Sequence, residues 1–360
     1  MLVKEIVLKD FRNYENLELS FDSSKNIFIG ENGQGKTNIL EAIFLCAFAR
    51  SFKTNIAAEM IRFNCESASV KTVIESEELE KEINIILHKS GKKMIKKDGK
   101  ILNKTTELLS NLIVIIFSPE DLRIIKDNPE KRRYFIDREI CQIRPKYQDA
   151  LKKYNDLLKQ KNALLKEQRE DIDIDLLDVY DEQLAELGKV IIKQREEFIK
   201  LLGEKTSRIQ KEISGGREEL VVEYKKNCEE GNILERIKEN RERDIFFGYS
   251  GTGPHRDDIE FFLKGKEVRK YGSQGQQRTV ALALKLAEIE IVRDIVGENP
   301  VLLLDDVLSE LDENRQKYLL NEIENVQIFV TTTEKNSLFF ENPRNISIFN
   351  VSGGTAQKNG

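Results

Sequence analysis

The segment that most restricts what this chain can fold into is residues 28–44, "FIGENGQGKTNILEAIF". An apolar strand over 26–29 runs into a glycine-rich loop, then Lys36 and Thr37, then a predicted amphipathic helix with Ile39, Leu40, Ile43, Phe44 and Ala47 on one face. Residues 30–37 satisfy G-x-x-x-x-G-K-[ST] in the strand–loop–helix context that this pattern requires. Gly30, Gly33 and Gly35 let the backbone curl until its N–H groups converge. The helix N-terminus adds a partial positive charge. Such a cradle suits phosphate oxygens: Lys36 is expected on the β- and γ-phosphates of a nucleotide and Thr37 on Mg²⁺.

With 360 residues the chain makes one large domain or two lobes. Its net charge of −5 means that any contact with nucleic acid comes from a local patch. Cys46, Cys65, Cys141 and Cys228 are scattered, with no C-x-x-C pair, which suggests neither a zinc site nor a disulfide framework. They read as thiols of a reducing cytosol. The N-terminus alternates like strands rather than like a signal peptide, and no apolar run reaches the length of a membrane span. The expectation is a cytoplasmic protein with no membrane partner.

Residues 1–30 read as a β-layer, with Ile6, Leu8, Leu17, Leu19 and Phe21 inward. Residues 70–104 read as β again, and 112–117, "LIVIIF", as a buried strand. Ser118 and Pro119 look like a helix start, Ser as N-cap and Pro at the first helical position. From 145 to 214 leucines and charges dominate. Leu177, Tyr180, Leu184, Leu187, Ile191, Phe198 and Leu201 follow a heptad broken at Gln194. Leu151, Tyr154, Leu158 and Leu165 form an earlier arm, and "EQREDIDID", 167–175, lies between the two. Two helices folding back as an antiparallel pair, each about 40–50 Å long, account for this; so does a helical subdomain packed on the core. β character returns after Gly215 and Gly216. The fold expected is α/β, with an ATPase lobe over 1–120 and 216–360 and an inserted helical lobe over 121–215.

"VLLLDD", 301–306, is an apolar strand ending in acids. Beside a phosphate loop, Asp305 is a candidate Mg²⁺ contact and Asp306 a candidate water-activating carboxylate. "YGSQGQQRTVALALKLAE" places a glycine-rich turn over 271–277 before a helix expected over 279–293. Ser273 reads either as a plain N-cap or as part of a second phosphate-seeking helix start, one that serves the nucleotide of another subunit. A further helix over 312–324 and strands over 327–333 and 345–351 follow.

On these residues the chain resembles the ABC-type ATPases. Residues 272–276, "GSQGQ", look like their signature, with Gln274 in place of the usual first glycine; 301–306 look like Walker B, and 309–312, "SELD", like the D-loop. Together with "FRNY", "FSPEDL", "GPHRDD" and "SQGQQR", in that order over nearly the full length, the resemblance is to the RecF family, whose fold is similar to the heads of SMC-like ATPases. It implies an ABC-type head with an antiparallel β-layer plus a helical lobe carrying a short antiparallel helix pair. It also implies an ATP-dependent homodimer, slow DNA-stimulated hydrolysis, binding to single-strand and double-strand DNA and gap junctions, and action with RecR and RecO in loading RecA. Carried onto this chain, Lys36 and Thr37 hold phosphate and Mg²⁺, Asp305 holds Mg²⁺, and Asp306 is catalytic. Ser273 and Gly275 reach the partner's γ-phosphate. Asn32, Gln34 and Asn38 line the loop, and Arg12 and Tyr14 are nucleotide contacts. Asp306 stands where the wider family has glutamate, and Thr332 where it has a switch histidine; both departures point to slow turnover.

A transport subunit would place its signature nearer the phosphate loop and lack the charged heptad insertion. A chromosome-organising ATPase would need longer arms, and a metabolic kinase would have no signature turn. For DNA, Lys89, Lys92, Lys93, Lys96, Lys97, Lys100 and Lys104 stand with one acid, Asp98, on a predicted hairpin. That is a positive face able to release counterions. A solvated edge strand guarded by lysines fits the same residues. Lys131, Arg132 and Arg133 make a smaller cluster. In "GPHRDD", His255 with Asp257 and Asp258 could serve as a metal or acid–base site; Arg256 and Asp257 are expected to form a structural ion pair. His88, the other histidine, has no evident link to them.

Overall fold

The computed structural model describes residues 1–167, 172–323, 325–333 and 345–359. Two compact units form: residues 1–122 with 285–360, and residues 123–284.

The first unit holds two six-stranded sheets. One is antiparallel, in the order Tyr14–Ser20, Leu2–Phe11, Ser67–Ser76, Leu79–His88, Lys93–Lys97, Lys100–Ile101. Period-two burial builds it: Ile83, Ile85 and Leu87 face inward while Glu82 and Asn84 do not. The other runs Thr355–Lys358, Ile346–Ser352, Lys25–Ile29, Ile328–Thr332, Val301–Asp305, Val114–Phe117, parallel except for its first pair. Its central strands are continuous apolar runs, as a sheet covered on both faces requires. Phe21, Phe28, Phe329 and Phe349 close one side of it, with ring centroids 4.9–6.4 Å apart. The helix Lys36–Phe48 contacts strands of both sheets. It is therefore buried on nearly every side rather than amphipathic, and even Glu41 is fully enclosed.

The second unit is helical with a small antiparallel sheet, Lys266–Glu267, Asp258–Leu263 and Leu220–Lys225. The sequence places the end of the helical lobe at residue 215. Instead Leu220–Lys225 packs on the helix Ile174–Ile213, so residues 216–284 belong with the helices. The apolar face of this sheet, Leu220, Ile259, Phe261 and Leu263 among it, is buried, with Leu220–Lys225 packed on that helix and Asp258–Leu263 on the helix Pro129–Ile143.

The antiparallel helix pair forms, Pro145–Glu167 against Ile174–Ile213, but with unequal arms of 23 and 40 residues, about 35 and 60 Å. Of the segment between the arms, residues 168–171 lie outside the described residues. The buried stripe of the long helix runs through Leu177, Asp181, Leu184, Gly188, Ile191, Arg195, Phe198 and Leu202. The break in the heptad at Gln194 falls next to Arg195, a buried cation placed among acids.

Two other expectations change. Ser118 does not start a helix: its backbone N–H and hydroxyl both donate to Asp121, only a 3₁₀ turn follows, and the helix Pro129–Ile143 starts at an Asn128 cap. The helix expected over 279–293 spans Gln274–Val296. Ser273 Oγ accepts from Gln276 N–H, while Gln276 Oε1 accepts from Ser273 N–H, a reciprocal cap that draws the glycine-rich residues into the first turn. The last expected helix is Glu313–Glu322, capped by Asp312; residue 324 lies outside the described residues.

Candidate nucleotide site

Sheet order brings the loop and the acid strand together. Lys25–Ile29 and Val301–Asp305 flank the same strand, Ile328–Thr332, and the helix Lys36–Phe48 starts between their C-terminal ends. The loop needs glycine: Gly33 and Gly35 have φ of 81° and 113°. A Cβ on Gly35 would come within 2.6–2.8 Å of the Asn13 amide and the Tyr14 hydroxyl.

Lys36 Nζ donates to the carbonyls of Gly30 and Glu31 at 2.6 and 2.9 Å. Burial pushes its pKa down, against the pull of Asp306 and Asp305. Thr37 Oγ1 donates to Asp305 Oδ1 at 2.7 Å, and Thr331 Oγ1 donates to the same oxygen at 2.8 Å. Thr331 also accepts from the Asp306 N–H at 2.9 Å, so one hydroxyl ties both acids. Asp306 sits at φ 52°, in the left-handed region. Burial raises its carboxyl pKa; Lys36 opposes this, while Asp305 and Glu310 add to it.

The remaining candidates sort by what holds them. Asn13 Nδ2 donates to Gln34 O, and Asn38 Nδ2 donates to Asn13 Oδ1. Gln34 Oε1 accepts from Gly353 N–H. Asn32 is exposed. Tyr14, expected as a nucleotide contact, is fully buried; its hydroxyl donates to Gly35 O at 3.1 Å, so it braces the loop from behind. Arg12 chelates Glu41 at 2.8 and 2.5 Å and donates to Glu59 O. Thr332 ends its strand, its carbonyl 3.4 Å from Gly30 N. In the second unit Ser273 is exposed and caps its helix, with Gly275 inside the first turn.

Thr331, Asn13 and Lys53 join the site without being among the expected residues. Thr331 was signalled by its place in "QIFVTTT", opposite Asp305 in a parallel ladder. Lys53 donates to Asn38 Oδ1 at 3.3 Å, and burial lowers its pKa while Glu41 and Asp305 raise it. Nothing local marks it.

The lysine hairpin forms, but its pleat divides the charges. Lys93 and Lys97 share the face of buried Ile95, and Lys96 takes the other. Lys93 Nζ donates to Ala49 O at 3.0 Å, and burial lowers its pKa. Lys92 is exposed, and Lys89 pairs with Glu66. The smaller cluster is not a free patch: Arg132 is buried and chelates Asp258 at 2.7 and 2.8 Å, and Arg133 donates to Asp257 O.

The expected Arg256–Asp257 pair gives way to Arg195–Asp257 at 3.2 Å, with Tyr224 and the Asn227 N–H also donating to Asp257. Arg256 lies over the Tyr249 ring. His255 Nε2 is 3.0 Å from Ser250 O, and its Nδ1 is 2.7 Å from the Tyr154 hydroxyl. Both ring nitrogens are thus committed to structure, and no cluster of three or more metal-binding side chains occurs among the described residues. Nor is any described helix long and apolar enough to cross a membrane.

Phosphate loop, Asp-tipped strand and antiparallel layer together define a nucleotide-binding head of the ABC and SMC type. A solved SMC head, bound to the C-winged helix domain of ScpA, shares this fold at TM-score 0.58 and 16% identity, covering 100% of this chain and 98% of that one. The chain belongs to the RecF family: the RecF/RecN/SMC N-terminal domain matches residues 2–357. The DNA replication and repair protein RecF of Lachnoclostridium phytofermentans is 44% identical over 359 residues, 99% of this chain and 100% of that one. A solved recombination mediator protein RecF-ATP in the RecFOR pathway matches at TM-score 0.92 and 38% identity, covering 99% of this chain and 97% of that one.

Proposed function

We propose that this chain is a slow, DNA-stimulated ATPase that dimerises on ATP, holds DNA at single-strand gaps, and supports RecA loading with RecR and RecO. The observation that carries the nucleotide reading is the 2.7 Å contact between Thr37 and Asp305, residues 268 apart in sequence. The kinship with a RecF solved with ATP supports it.

The donor set fits magnesium triphosphate. One hydroxyl and one carboxylate leave room for phosphate oxygens and water, the way Mg²⁺ is held at such sites. When bound, the ion would neutralise charge developing on the phosphate oxygens. Lys36, Thr37 and the backbone of 30–36 bind the phosphates, with Asn32, Gln34 and Asn38 along the loop. Asp305 is fixed for the metal by Thr37 and Thr331. Asp306 takes a proton from water. Its raised pKa makes it a stronger base, but it is one methylene shorter than glutamate, and Thr332 cannot replace a histidine; slow turnover follows. Arg12 orders the loop's flank by holding buried Glu41. Ser273 and Gly275 of a second copy complete each site, and the lysine hairpin tracks the DNA backbone.

Mixing two lesions tests the composite site. Lys36→Ala and Ser273→Arg homodimers should each be nearly inactive, because every site carries one lesion. Random pairing makes half the dimers mixed, each with one intact site, so roughly a quarter of wild-type activity should return. ATP-dependent dimerisation is measured on the same mixture. Recovery of neither turnover nor dimerisation, with both variants folded, would refute the shared site.

A further inference from the structure

One surface of the second unit is left without a role. The short helix Arg241–Phe247 ends at Gly248 in a left-handed turn. There Phe246, Phe247 and Tyr249 are 74%, 47% and 42% exposed. The two phenyl rings meet edge to face at 5.1 Å, and Tyr249 lies 5.9 Å from Phe247. Two guanidiniums frame them: Arg243 lies 5.8 Å from the Phe247 ring and Arg256 5.0 Å from the Tyr249 ring. Beside them opens a pocket of about 280 Å³, whose lining includes these two arginines, Phe247, Tyr249, Asn227, Asn240 and buried Asp244, the last accepting from the Gly251 N–H. Asn227 uses its amide oxygen on Gly253 N–H, and Asn240 uses its amide nitrogen on Arg236 O. Among the described residues the other half of each amide has no hydrogen-bond partner.

Adjacent exposed rings with cations over them are costly in water and suited to flat π-faces next to anions. The pocket has room for one nucleobase and not for a helix. A duplex hides its base faces, whereas an unpaired strand presents them together with phosphates. We propose that this surface is a stacking site for single-stranded nucleic acid: a base lies against Phe246 and Phe247, its edge reaches the two asparagine amides, and the adjoining phosphates meet Arg243 and Arg256. This extends the DNA reading above to a second surface, and the two fail separately. Reversal of the hairpin lysines should reduce duplex binding, while stacking reads bases.

The test uses the full chain and fluorescence anisotropy with three probes of roughly 20 nucleotides: oligothymidylate, an abasic strand of equal phosphate count, and a duplex. Wild type should prefer oligothymidylate to the abasic strand. Phe246→Ala with Phe247→Ala should weaken oligothymidylate binding at least about fivefold and leave the duplex within about twofold. Phe246→Trp with Phe247→Trp should restore binding, which a merely unfolded surface would not. Arg243→Gln should lower the salt slope for the strand by about 0.7. Equal wild-type binding of abasic and thymidylate strands, or unchanged thymidylate binding in the alanine variant, would overturn the inference. So would an acidic, phenylalanine-containing peptide whose binding alone depends on the two rings; that result would assign the surface to a protein partner.

Discussion

Asp305 and Asp306 are neighbours tied by one hydroxyl, that of Thr331, and the proposed function gives them different tasks. Asp305 accepts from Thr37 and Thr331, while Asp306 has its backbone tied and its carboxyl pushed upward. Asp306→Asn should therefore keep ATP binding, prolong the dimer and slow turnover by at least about tenfold. Asp305→Asn should weaken Mg²⁺-dependent ATP binding itself. Nucleotide titration with and without Mg²⁺ separates them, and equal loss of binding in both would cancel the division. His255 offers a pH test. Burial lowers its pKa from 6.5 to about 4, with Arg256, Arg133 and Lys161 adding to the shift and Ser250 O opposing it. The unfolded chain protonates this ring first on acidification, so its contribution is fully present above about pH 6.5 and lost as pH falls toward 4, on the order of 3 kcal/mol in all. Denaturant melts should show wild type losing its advantage over His255→Gln by about 2 kcal/mol between pH 7.5 and 5. A gap independent of pH would mean the ring is not held neutral. The phosphate loop and Asp305 could be read from spacing because backbone geometry dictates those residue types. Lys53 and the Arg195–Asp257 pairing could not, since they depend on which distant segments meet.

Among elements, the hairpin shows what alternation adds to charge counting. The sequence marked a run of lysines, and the pleat turns them to opposite faces. Reversing Lys92, Lys93, Lys96 and Lys97 to Glu should weaken DNA binding and lower its salt slope by about one per lost phosphate contact, with ATP-driven dimerisation intact. A duplex meets one face, so Lys93→Glu with Lys97→Glu and Lys96→Glu alone should differ in their effects. Anisotropy over a salt series reads this, and unchanged affinity in the fourfold variant returns the patch to edge protection. The long helix was legible as a helix from its leucines. Its length was not, because the stripe passes through Asp181, Arg195 and Gln210, polar residues buried by pairing that a hydrophobic period cannot register. Likewise "SQGQQR" looked like a loop because glycine disfavours helix, and the Ser273–Gln276 cap outweighs that preference.

For the whole molecule, the class was legible because motifs in fixed order imply one architecture, whereas the boundary at 284 was not: it depends on which unit covers the face of Leu220–Lys225. The order of strands in the mixed sheet bears on how such a protein is made. Lys25–Ile29 pairs on one side with Ile328–Thr332 and on the other with Ile346–Ser352. At 5–20 residues per second, a ribosome that has just released this strand needs roughly 15–60 s to deliver either neighbour. Meanwhile the antiparallel sheet can assemble from adjoining hairpins, and residues 123–284, continuous in sequence, can fold as a unit. The nascent chain therefore carries an unpaired apolar strand and phosphate loop until residues 328–352 have been made. Long-range parallel pairing of this kind is slow to form and exposed to aggregation, so products truncated before residue 328 should be insoluble, and chaperone demand should fall once residues 328–352 are available.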